Sequence, residues 1–153
     1  MAGRRIIYIP SKCTACLQCS IACSLRVYGI PDPNKALRQI YLEPDGSILG
    51  SYCVHCDHPI CMAACPAGAI HRDDNYGIVY INQFECVGCR NCVLACPWSM
   101  PRFDEDLGMV IKCDLCGGEP ECVRVCPTNA TKMVSEEEAV KIISSMLGDL
   151  HGY

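Results

Sequence analysis

Sixteen cysteines in 153 residues stand in four groups of four. They are Cys13, Cys16, Cys19 and Cys23; Cys53, Cys56, Cys61 and Cys65; Cys86, Cys89, Cys92 and Cys96; and Cys113, Cys116, Cys122 and Cys126. The first and third groups are spaced C-x2-C-x2-C-x3-C, the second C-x2-C-x4-C-x3-C and the fourth C-x2-C-x5-C-x3-C. A chain this rich in cysteine is either cross-linked by disulfides or built around metal. It has only two Phe and one Trp to fill an interior, and interiors are close-packed. Something other than side chains must therefore occupy part of the core. The first ten residues carry two arginines but no apolar run of about 7–15 residues behind them. No stretch reaches the roughly 18 apolar residues of a membrane span. The expectation is a cytoplasmic protein in a reducing compartment, where structural disulfides are rare. A formal net charge of −4 offers no basic face to nucleic acid.

Three of the groups end in Cys-Pro, at Cys65-Pro66, Cys96-Pro97 and Cys126-Pro127. This is the bacterial ferredoxin run C-x2-C-x2-C-x3-C-P, present twice plainly and twice with a longer middle spacer. A 4Fe–4S cube takes one thiolate on each iron, and three cysteines two residues apart can wrap three irons within one turn of backbone. The amides of that turn then face the sulfides and stabilise their negative charge. The fourth cysteine, placed on a short helix, faces away and ligates the cluster of another run, while the proline behind it ends the helix. Structural zinc would also use C-x2-C pairs, yet it requires neither the third cysteine nor the terminal Cys-Pro. Sixteen thiolates divide into four cubes with none left over. With those thiolates and four dipositive cores, the formal charge falls to about −12.

Each half of the chain holds a tight run followed by a looser one, which reads as a duplication. Between the runs lie strand pairs with turn chemistry: Tyr41–Leu49 around Pro44-Asp45-Gly46, Ala69–His71 with Ile78–Ile81, and Arg102-Phe103 with Val110–Lys112. Arg4–Ile9 reads as an opening strand and Thr131–Val134 as a closing one. Short helices are expected after the third cysteine of each run. The fold class is α+β: small lobes with hairpins and short helices built around clusters. Residues 135–153 differ in kind. Ser135 to Glu138 is a capping box, and Ala139, Ile142, Ile143, Met146 and Leu150 recur at helical spacing on a C-terminal helix. That stripe and the apolar Ile6–Ile9 offer docking surface. Arg90, Lys112 and Arg124 sit beside cysteines as candidates for raising cluster potentials. Trp98 is placed to pack over a cluster, and His55 and His58 are read as loop residues or as residues that support the ligands, rather than as ligands.

The four runs, their order and their spacers resemble the four-cluster iron–sulfur subunits of bacterial and archaeal oxidoreductases. That family accompanies molybdenum or tungsten pterin enzymes, CO dehydrogenase and some hydrogenases. The likeness spans Cys13 to about Thr131 and is most specific in Cys53–Ile70 and Lys112–Thr128; Ser24 in place of proline after Cys23 also fits it. Spacing alone leaves open whether the runs exchange ligands sequentially or in a nested way; the resemblance implies nesting. Carried over, Cys13, Cys16, Cys19 and Cys126 hold one cluster, and Cys113, Cys116, Cys122 and Cys23 a second. Cys53, Cys56, Cys61 and Cys96 hold a third, and Cys86, Cys89, Cys92 and Cys65 the fourth. It implies two pseudo-symmetric ferredoxin-like lobes, residues 1–52 with 97–134 and residues 53–96, each with two 4Fe–4S clusters.

The chain is compact for that family and most resembles the small subunits paired with tungsten enzymes of the aldehyde oxidoreductase family. The expected function is a one-electron relay between a catalytic tungsten- or molybdenum-pterin subunit and a second redox partner. The chain would not be an enzyme by itself: it holds no G-x-G-x-x-G, P-loop or H-E-x-x-H. The alternatives are a ferredoxin partner of CO dehydrogenase or hydrogenase, and a freely diffusing polyferredoxin.

Overall fold

The two ends of the chain are paired. In the computed structural model, which describes residues 4–150, β1 (Arg4–Tyr8) and β8 (Thr131–Ser135) form an antiparallel ribbon with Arg4 opposite Ser135 and Tyr8 opposite Thr131. Three local hairpins complete the strand content. These are β2 (Gln39–Leu42) with β3 (Ile48–Ser51), β4 (Ile70–Arg72) with β5 (Val79–Ile81), and β6 (Arg102–Asp104) with β7 (Met109–Ile111). Each turn is held by an aspartate that accepts from amides ahead of it. Asp45 takes the Ser47 N–H at 2.8 Å, Asp73 those of Asn75 and Tyr76, and Asp104 that of Leu107. The expected strand pairs are thus present as separate two-stranded ribbons.

Every run feeds a helix that begins one residue before its third cysteine: α1 (Gln18–Tyr28), α2 (Ile60–Ala63), α3 (Asn91–Ala95) and α4 (Glu121–Arg124). In the tight runs a single left-handed residue turns the chain into the helix, Leu17 at φ 58° and Arg90 at φ 65°. In the looser runs the added residues end in a proline at the N-cap, Pro59 and Pro120. Its fixed φ does the same work. The expectation that each fourth cysteine lies on its helix is corrected for three runs. Helices α2, α3 and α4 stop before Cys65, Cys96 and Cys126, because the residue preceding a proline is pushed out of helical conformation. Only Cys23, with no proline behind it, is helical, and α1 runs on to a left-handed Gly29 cap.

The short helices pack crosswise in sequence, α1 on α4 and α2 on α3. Helix α5 (Glu136–Leu150) continues directly from β8. Its N-terminus is capped by Ser135 Oγ, which accepts the Glu138 N–H at 3.3 Å, and three glutamates occupy its first turn, where negative charge is favoured. Ala139 and Ile142 pack against Ile7 and Val134 of the terminal ribbon. Val140, Ile143 and Leu147 are exposed, so Ile143 of the expected stripe faces outward, and the side chain of Leu150 lies outside the described residues. The reading of Ile6–Ile9 as docking surface is also corrected. Ile6, Ile7 and Tyr8 are buried, because the ribbon formed with β8 has one face under α5 and the other over the fourth run.

Small apolar clusters form the core. One joins Cys61, Ile70, Val79, Cys92 and Val110; another joins Ile6, Ile78 and Leu115, with Cys113 and Cys122 against it.

Candidate iron–sulfur sites

The loop between the first two cysteines turns at the same position in all four runs. The residue just before the second cysteine is left-handed: Ala15 at φ 53°, His55 at 47°, Gly88 at 69° and Leu115 at 54°. A non-glycine residue there costs about 1–2 kcal/mol, and three runs bear that cost. A left-handed residue between right-handed ones turns successive N–H groups toward one side, a concavity suited to anions. An amide of this loop already approaches sulfur, Ala15 N–H to Cys13 Sγ at 3.5 Å, and behind the second run the Ala69 N–H lies 3.3 Å from Cys65 Sγ.

The helix packing gathers the thiols into sets drawn from different runs. Cys13, Cys16, Cys19 and Cys126 line one cavity. Cys53, Cys56, Cys61 and Cys96 line a second, and Cys65, Cys86, Cys89 and Cys92 a third. The remaining four are neighbours electrostatically. Burial raises the Cys122 thiol to about 12, and Cys23, Cys116 and, last, Cys19 of the first run add to that rise. Burial likewise raises Cys116, with Asp114 and Cys23 reinforcing it. Burial raises Cys92 to about 11, with Cys61, Cys65 and Cys86 contributing. Before iron binds, these groups are thiols at neutral pH, and ligation releases their protons. Cys126 differs: burial works upward but is outweighed by hydrogen bonds from Thr131, Thr128 and Ala130, which hold the thiol below its usual value.

All sixteen cysteines are free of disulfides. In three of the sets the four thiols line one cavity, an arrangement that suits a polynuclear cluster. Orphaned donors point the same way. His55 Nδ1 accepts the Val79 N–H at 3.0 Å, so the ring proton sits on Nε2. That atom is buried without a partner, in the cavity of Cys53. Arg38, 3 % exposed, lies over the rings of Tyr8 and Tyr52 and donates to Thr131 Oγ1. Among the described residues its Nε and Nη1 have no partner, and its charge reaches the Cys122 thiol. Cluster sulfur is the acceptor such groups lack. Sequence reasoning did not find Arg38; its only signal is an arginine between Ala36-Leu37 and Ile40.

The other singled-out residues divide. Trp98 lines the cavity of Cys53 but leaves 58 % of its surface to solvent, so it covers that cavity only in part. His58 is exposed. Arg90 is exposed and stacks on the Phe103 ring at 3.6 Å, and Arg124 is exposed and paired with Glu121. Lys112 is buried.

A family model for the 4Fe–4S dicluster domain matches residues 44–136, and one for a 4Fe–4S binding domain matches residues 10–29. The polyferredoxin-like subunit of an aliphatic sulfonate oxidoreductase from Pyrococcus furiosus is 39% identical over 121 residues, covering 79% of this chain and 70% of that one. The thiosulfate reductase electron transfer subunit PhsB from Salmonella typhi is 30% identical over 149 residues, 88% of this chain and 77% of that one. Among solved structures, a component of the BamBC active-site complex of benzoyl coenzyme A reductase with benzoyl-CoA superposes with a TM-score of 0.51. It covers 97% of this chain and 91% of that one at 21% identity, a likeness of fold.

Proposed function

The chain belongs to the 4Fe–4S dicluster domain family, and from that membership we propose that it relays single electrons through four clusters as a subunit of an oxidoreductase complex. Each cluster, when bound, supplies a one-electron couple. The ligands are the nested sets: Cys13, Cys16, Cys19 and Cys126; Cys113, Cys116, Cys122 and Cys23; Cys53, Cys56, Cys61 and Cys96; and Cys86, Cys89, Cys92 and Cys65. The observation that carries this reading is that three cavities are each lined by three thiols of one run and the fourth thiol of another. The packing of α1 on α4 and α2 on α3 supports two lobes, runs one and four in one and runs two and three in the other. The protein's own work is to hold the thiolates, to turn amides toward them, and to keep water from sites walled by apolar side chains such as Ile70, Val110 and Met100.

The partner we propose is a catalytic oxidoreductase subunit of the tungsten or molybdenum pterin class, with a lean toward the tungsten aldehyde oxidoreductase type, in a reducing cytoplasm. The Pyrococcus furiosus relative, a polyferredoxin-like subunit of an oxidoreductase, supports a subunit role of this kind. A subunit is favoured over a diffusing polyferredoxin by large apolar side chains left in solvent: Val140, Ile143 and Leu147 on α5, and Phe84, Val87 and Leu94 around the third run. Among the described residues no helix is long and apolar enough to cross a membrane.

Iron and acid-labile sulfide analysis of anaerobically purified protein tests the cluster reading, with about sixteen irons per chain expected and fewer than about twelve contradicting it. Gel filtration of the native material tests the subunit reading, since a lone monomer would exclude a tight complex.

A further inference from the structure

Of the basic residues that flank cysteines, one is inside the protein. Lys112 is 8 % exposed. Its Nζ lies 3.2 Å from Cys53 Sγ and donates to the carbonyl oxygens of Cys113, at 3.1 Å, and of Val79. An ammonium has three hydrogens and no acceptor, and these three partners use all of them. Among the described residues no carboxylate pairs with Lys112. A buried cation without a counter-charge is strongly unfavourable, so the charge that answers Lys112 has to lie among the sulfur atoms beside it. The same residue fixes a second donor: the N–H of Val79, which is fully buried, goes to His55 Nδ1, while its carbonyl accepts from Lys112. His55 and Lys112 both line the cavity of Cys53, Cys56, Cys61 and Cys96. On the opposite side Lys112 adjoins Cys113, a member of another set.

Accepting the ligand sets proposed above, we infer that Lys112 sets the reduction potential of the cluster held by Cys53, Cys56, Cys61 and Cys96. Reduction adds one electron to that cluster and neither forms nor breaks a bond. The added negative charge is stabilised by a fixed ammonium in a low-dielectric site, so the reduced form gains more than the oxidised form. The effect falls with distance. It is therefore largest at the Cys53 cluster, smaller at the Cys113 cluster and least at the two whose thiols Lys112 does not adjoin. Arg90 and Arg124, out in solvent, are screened and give no comparable effect.

The test is an EPR-monitored redox titration with dithionite as reductant, on the complete chain purified anaerobically with whatever it binds. Lys112→Met removes the charge at similar length, Lys112→Gln removes it but keeps an N–H donor, and Lys112→Arg keeps it. The expected result is unchanged iron and sulfide. In both neutral variants the reduction equilibrium constant of one cluster falls at least tenfold, 59 mV for one electron. Lys112→Arg stays closer to wild type than either. The affected signal should be the one that Cys56→Ser also alters. Fully loaded neutral variants with unshifted potentials overturn the inference, as does a shift confined to another cluster. Loss of iron from both neutral variants overturns it too, because Lys112 would then be a folding determinant. A shortage of iron in the wild-type protein is a separate result: it defeats the ligand sets, and the inference falls with them.

Discussion

At the level of single residues, the runs trade backbone comfort for sulfur geometry. The left-handed position before the second cysteine is glycine only at Gly88, and a methyl group there would meet nothing closer than 3.8 Å. Gly88→Ala should therefore cost only the conformational term, about 1–2 kcal/mol, and leave four clusters bound, as read by denaturant unfolding with iron analysis. A larger loss accompanied by missing iron would show that the loop cannot carry a side chain. Cys23→Ser should disturb the EPR signal of the fourth run's cluster more than that of the first; the reverse order would contradict the nested sets. The cysteine pattern was legible in the sequence because ligation imposes spacing. The two buried cations were not. Lys112 stood beside Cys113 on equal terms with Arg90 and Arg124, and burial, decided by strands β5 and β7 coming together around it, is what separates them. Arg38 lies far along the chain from the thiols whose field it shapes, so spacing held no trace of it.

Elements in this protein are too short to stand alone. Helices of four or five residues and ribbons of three residues per strand lie below what isolated segments sustain. Their sequence signals were turn chemistry and prolines, which placed the hairpins well, whereas the ends of α2, α3 and α4 followed from the residue before proline. The terminal ribbon is the element with most apolar burial. Ile7, packed with Val134 and Ala139, should cost about 2–5 kcal/mol on truncation to alanine, measured by thermal or denaturant unfolding, and α5 should loosen with it. Ser135→Ala removes the α5 cap and should cost about 1 kcal/mol, seen as helix fraying by circular dichroism. The apolar run Ile6–Ile9 reads as surface in the sequence because nothing local reveals that its partner strand lies at the other end of the chain.

For the whole molecule, the clusters of buried apolar residues are small, and two of them include or adjoin cysteines. Such a core is too thin to offset the conformational entropy of the chain, so ligand bonds supply much of the folding free energy. Removing iron with a chelator under oxidising conditions should collapse the far-UV circular dichroism, and anaerobic reconstitution with iron and sulfide should restore it. A chain that kept its native spectrum without iron would show that side chains alone suffice.

The pairing of Arg4 with Ser135 also orders events in time. A chain emerging from the ribosome completes the thiols of the two inner cavities once Cys96 is made, but the cavity of Cys13 stays open until Cys126 arrives, and the ribbon until Ser135. The proposed sets close like nested parentheses, the last opened being the first shut. On the proposed ligand sets, iron delivered during synthesis would fill the middle of the sequence first, once the residues that wall those two cavities, as far as Lys112, had followed Cys96 out of the ribosome.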